Sequence, residues 1–165
     1  MAVMTAETGP PPALSTDFWR FSVAFYGQPG VAAACLALQD RHGLDVNLVL
    51  LCLWVGEIGH RLTPADLARL KRAVARWNTD VLMPLRAARQ ALKPGPASLY
   101  AAAKTLELDA ERHAQGMLLD ALGKQPTMPA THAAAVANLD LYLPARAGAE
   151  RSALLTALSA DRTEA

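Results

Sequence analysis

Along most of this chain apolar residues recur at intervals of three and four, the spacing that gathers them on one face of an α-helix, and polar or helix-breaking residues separate the runs. Phe18, Phe21 and Phe25 stand at i, i+3 and i+7 in a first segment, with Ser15, Thr16 and Asp17 as candidate N-caps and Gly27 as a stop. A second helix is predicted between Pro29, suited to a first helical position, and Gly43, suited to a C-terminal stop. Asp45 then caps a third helix that runs through Trp54 to about Ile58. Residues 46–55 are apolar on nearly every side, which predicts a helix at the centre of a bundle. The few residues between the second and third helices predict an antiparallel helical hairpin over residues 30–58. Counted outward from Gly43, Gln39 and Asn47 are each four residues away, and Cys35 and Cys52 are eight and nine away. The hairpin is therefore expected to bring an amide pair and a thiol pair level with each other.

Thr63, Pro64 and Asp66 mark the next start, with a cap, a proline at the first helical position and an acid three residues after the cap. Asn78, Thr79 and Asp80 offer a break and Pro84 follows, so residues 64–93 read as two helices or as one kinked helix. Pro94, Gly95 and Pro96 interrupt the chain before a long helix over residues 97–122, closed by Gly123. A linker at residues 124–129 and shorter helices at 131–143 and 150–160 complete the reading. Residues 1–14, with Pro10, Pro11 and Pro12 in a row, carry no helical stripe and are expected to form a disordered tail. The expected organisation is an all-α, single-domain bundle of about six to seven helices at residues 15–160, with a frayed end at 161–165.

Composition agrees with helices. Of 165 residues 52% are hydrophobic and only 5% aromatic, so the core is built from Ala, Leu and Val, of which the first two favour helix. That length suits one domain. Sixteen basic against 15 acidic side chains leave a formal charge of +1, which argues against a nucleic-acid or membrane-surface binder acting through its whole surface. No basic stretch precedes an apolar one at the start, and no uninterrupted apolar run reaches the length of a membrane span. A cytoplasmic protein with no membrane contact is expected, and its two cysteines read as reduced thiols.

Several attractive sites fail on geometry. Cys35, His42, Cys52 and His60 are of the right types for zinc, but residues seven or more apart on a helix lie about 10 Å apart along its axis, too far for one ion. Glu57 and His60 match the spacing used by di-iron bundles, yet the second motif is missing, because His113 points away from Glu107 and Glu111. Asp109 and His113 have no nucleophile beside them. No catalytic residue, metal site or cofactor is assigned, and the balance leans against an enzyme.

Two binding readings remain. Between Arg61 and Lys93 stand eight bases against Asp66 and Asp80, and Arg69, Arg72 and Arg76 stripe one face opposite Leu67, Leu70, Val74 and Trp77. The favoured expectation is a non-catalytic binding or adaptor protein that offers this face to an acidic protein or a phosphate-bearing partner. Nucleic acid has no recognition motif in its favour. Glu107, Asp109, Glu111 and Asp120 on the long helix could instead answer the bases internally. The alternative starts from Gln39, Asp40, Asp45 and Asn47, which interrupt apolar helices where an unpaired buried polar group costs about 1–3 kcal/mol. It places a small-ligand pocket, in a binding protein or an enzyme, beside Gln39, Asp40, Asn47 and Trp54.

The segments DFWRFS from Asp17, GVAAACLALQD from Gly30 and GLDVNL from Gly43, with Trp77, PLRAARQALK and the helix from Leu99 to Arg112, resemble a family of small helical proteobacterial proteins. That family is described only as a domain of unknown function. The resemblance spans about residues 17–143 and implies an all-helical, cytoplasmic bacterial protein. It carries over no activity and no site residue.

Overall fold

In a computed structural model the described residues are 12–124 and 132–161, and all the regular structure among them is helical. Residues 1–11 of the tail expected over 1–14, most of the linker and residues 162–165 lie outside the described part, while residues 12–14 of that expected tail are helical. Helix α1 spans Pro12–Tyr26, so it starts before all three candidate caps, Ser15, Thr16 and Asp17, at the last of the three prolines. Proline suits a first helical position because its missing N–H would have no intrahelical partner there. Helix α2, Val31–His42, begins after Gly30 (φ 82°), not at Pro29, because the left-handed turn at Gly30 resets the chain direction first. Gly43 (φ 64°) closes it, with its N–H donating to Gln39 O and that of Leu44 to Leu38 O.

Helix α3, Val46–Glu57, is the post of the bundle. Every residue from Asn47 to Gly56 is buried. Asp45 caps it as expected, accepting from Asn47 N at 2.8 Å, while its own N–H donates to Tyr142 Oη at 3.0 Å and its second carboxylate oxygen accepts from Asn78. Burial raises the Tyr142 phenol above its usual value, against the lowering effect of the Asp45 N–H that it accepts. The α2–α3 hairpin holds together, but α2 makes its broadest contact with α8 (Gly148–Asp161), and α3 with α7 (His132–Tyr142). Gly56 explains the second: a Cβ there would stand 2.2 Å from Ala135 Cα, so only glycine lets the two backbones approach.

One buried amide locks that crossing. Asn138 of α7 has 0% of its surface exposed, accepts from Leu62 N at 2.8 Å and donates to Cys52 O at 3.2 Å and His60 O at 2.8 Å. It thereby satisfies the backbone where the chain leaves α3 and turns toward α4.

Helix α4, Pro64–Trp77, opens with the predicted capping box between Thr63 and Asp66. It passes without a break into α5, Met83–Leu92, through a π-helical segment at Asn78–Leu82. Of the two readings allowed by the sequence, one deformed rod is correct. The reason is Pro84, which has no N–H for the carbonyl one turn back, so the ladder widens there instead of ending. Counting that rod once gives seven helices among the described residues. Helix α6, Ala97–Leu122, lies against α1, α3, α4 and α5. Among the described residues no single helix is long and apolar enough to cross a membrane, and α1 with α2 would do so only as a pair bent by 97°.

Candidate functional site

Helix α6 carries Glu107, Glu111 and Gln115 at four-residue intervals, hence along one face. Glu107 accepts from Arg89 of α5, and Arg86 Nε stands 3.9 Å from the same carboxylate. Glu111 accepts both from Arg86 and from the side-chain amide of Asn47 on α3. Asn47 Oδ1 in turn accepts from Gln115 Nε2 at 3.1 Å, and that Nε2 also donates to Ser22 Oγ of α1 at 2.9 Å. A single chain of hydrogen bonds therefore runs Arg86, Glu111, Asn47, Gln115, Ser22 and joins four helices.

Its direction is set from the charged end. A guanidinium can only donate and an ionised carboxylate only accept, so Asn47 turns its NH2 toward Glu111 and its carbonyl toward Gln115. Gln115 must then give its own NH2, and its Oε1 is left buried without a partner. An unmade bond at a buried acceptor costs about 1–3 kcal/mol. Burial also pushes the Glu111 carboxyl above its usual value, against the opposing pull of Arg86 and Asn47.

Beside this chain lies a cavity of about 340 Å³ between α1, α2, α3, α5 and α6. Its walls are largely apolar, with Trp19, Val23, Leu36, Leu50 and Leu108 among them, and its polar part is the hydrogen-bonded chain together with Tyr26, Gln39, Arg89 and Glu107. Val23, Leu36 and Leu108 are at least half exposed, which marks the side open to solvent. A concave apolar space of this size with a few convergent polar groups is the usual form of a small-molecule site.

The structure divides the predicted ligand site. Gln39 and Asn47 line the cavity. Asp40 does not and is exposed, since the next residue of a helix is turned by about 100° from its neighbour. Trp54 does not either: it lies in the core with 5% of its surface exposed and stacks on Phe18 with ring centroids 5.1 Å apart. The expected amide pair is also corrected. Asn47 bonds to Glu111 and Gln115 across the bundle, not to Gln39 within the hairpin, because a charged acceptor on α6 outbids a second neutral amide. Cys35 and Cys52 are both buried and free. Burial pushes each thiol up to about 12, so the reactive thiolate is scarce near neutral pH.

The arginine stripe is likewise split. Arg69 Nε donates to Ala121 O at 2.7 Å and its Nη2 to Asp66 Oδ1 at 2.6 Å, so this side chain closes the C-terminal end of α6. Arg72 and Arg76 are exposed, and Arg76 Nε lies 3.6 Å from Asp80. Arg86 and Arg89 are the bases answered internally by the acids of α6. Among the described residues no group of three or more His, Cys, Asp or Glu side chains is placed to hold a metal ion.

Sequence spacing does not single out Glu111 and Gln115 as partners of Asn47, nor Arg86 and Ser22 as the two ends of the chain. The signal was present: Gln115 stands one turn from Glu111, on a helix whose buried positions are otherwise Ala110, Ala114, Leu118, Leu119 and Leu122. A family model described as protein of unknown function (DUF2390) matches residues 17–118, and the chain belongs to that family. Every residue lining the cavity falls within the matched segment. No curated protein and no solved structure matches the chain.

Proposed function

Since membership of that family brings no activity with it, we propose from the cavity that this protein binds a small molecule with an apolar body, held between α1, α2, α3, α5 and α6. The observation that carries the reading is Gln115, a buried amide on the cavity wall whose carbonyl oxygen has no partner among the described residues. Buried amides with a purely structural role have their partners in place. We take the role as non-catalytic, because the carboxylates beside the cavity are held by arginines and Ser22 has an amide, not a base, as its partner. Adaptor binding through the basic face rests on less than the sequence suggested, with Arg72 and Arg76 as its remaining exposed members. A cytoplasmic address goes with the binding reading, supported by two free, buried thiols.

The test uses N-phenyl-1-naphthylamine, a neutral apolar fluorophore. Saturable binding to the unmodified protein, weakened by Leu36→Trp at the open side of the cavity, supports the reading. Absence of saturable binding to the unmodified protein removes it.

A further inference from the structure

Taking that binding role as its premise, we infer that the ligand presents an uncharged hydroxyl group to Gln115 and Ser22. Both residues line the cavity and both are buried. Gln115 Oε1 has no partner, so the vacancy calls for a donor. Ser22 Oγ accepts from Gln115 and keeps its own hydroxyl hydrogen to give. An acceptor in need of a donor thus sits beside a donor, and one hydroxyl oxygen answers both. Oε1 has almost no accessible surface of its own, so a ligand hydroxyl reaches it when the Gln115 side chain turns toward the cavity it lines, at the expense of the bonds its NH2 makes to Ser22 and Asn47. Exchanging the amide's oxygen and nitrogen does not remove the vacancy. It would set Oε1 against Asn47 Oδ1, an acceptor against an acceptor, and leave the NH2 unpartnered instead.

Charge points away from an ionic head group. The ionised residues on the wall are Arg86, Arg89, Glu107 and Glu111, and they are paired with one another. A carboxylate ligand would have to displace a glutamate from its arginine, and an ammonium ligand an arginine from its glutamate. An ether or ketone only accepts and leaves Oε1 unmatched. The apolar walls take the remainder of the molecule.

Isothermal titration calorimetry on the full chain with four probes of matched size tests this: 1-octanol, heptyl methyl ether, octanoate and octylammonium. The expected result is that 1-octanol binds about fivefold more tightly than the ether, the worth of one neutral hydrogen bond, and more tightly than either ion. In Gln115→Leu the ether should still bind and the alcohol should lose its advantage. If circular dichroism shows that variant unfolded, Ser22→Ala is the second variant, and it should narrow the ratio. Equal binding of alcohol and ether, or tightest binding of octanoate or octylammonium, overturns the hydroxyl assignment while leaving the cavity as a binding site. Failure of all four to bind overturns both.

Discussion

Asn138 and Gln115 are the same kind of group in the same kind of place, and they end differently. Each is an amide with at most 3% of its surface exposed, and each crosses from one helix to its neighbours. Asn138 spends its carbonyl and its NH2 on three backbone groups around the α3–α4 connection and leaves nothing over. Gln115 bonds to other side chains, Ser22 and Asn47, and keeps an acceptor unused at the wall of a cavity. A full set of partners identifies a structural lock. An incomplete set beside open volume identifies a place where a ligand has something to add.

Removing the lock should cost most. Asn138→Ala strands Leu62 N–H and takes a second donor from the carbonyls of Cys52 and His60, and at about 1–3 kcal/mol for a stranded buried group plus the lost bonds the loss should be about 3 kcal/mol, read by urea denaturation. Gly56→Ala attacks the same crossing by bulk, since its methyl meets the Ala135 backbone; the expected loss is about 1–3 kcal/mol. Gln115→Leu should cost about 1 kcal/mol or less, because it removes an unsatisfied acceptor while taking a donor from Asn47 and Ser22. A loss from Gln115→Leu as large as that from Asn138→Ala would erase the contrast between the two amides.

The smallest effect is one of pH. Glu111 has a raised pKa when folded, so the native protein holds its proton more tightly than the unfolded chain does. Its contribution to stability is therefore fullest below the ordinary glutamate value and is lost as pH rises through the folded value. The groups that face it are Arg86, Asn47 and Asp45. Asp140, held below its usual value by Arg151, runs the other way: its contribution is complete above the ordinary aspartate value and is lost as the solution is acidified. Compared with Glu111→Gln, the unmodified protein should lose stability as pH is raised across the window just above the ordinary glutamate value. Parallel stability profiles for the two would show that Glu111 is not perturbed by its place in the seam.

Local chemistry made the helices legible in advance. Gly43, Asp45, the Thr63–Asp66 box and Gly123 each act through neighbours a few residues away, and the structure uses all four where the sequence places them. The apolar run from Leu48 to Val55 likewise marks α3 as the central helix. The site was legible in half. Asn47 and Gln39 reach the cavity, but Asn47's partners come from α6, 64 and 68 residues further along the chain, and which helix faces which is decided by packing that a hairpin register does not contain. Trp54 is near the predicted site in sequence but not in space. Seven residues from Asn47 it stands about 10 Å further along the helix, against Phe18. The arginine stripe is legible in part for a related reason: its spacing shows a shared face, and only the packing of α4 on α6 shows that Arg69 closes the end of α6.

The most direct measurement follows the side-chain amide resonances of Gln115 and Asn138 in a ¹H–¹⁵N correlation spectrum while 1-octanol is added. The account predicts that the Gln115 signals shift to saturation, together with the side-chain amide of Asn47, while those of Asn138 stay in place. Gln115 signals that do not move, or Asn138 signals that move as far, would contradict it.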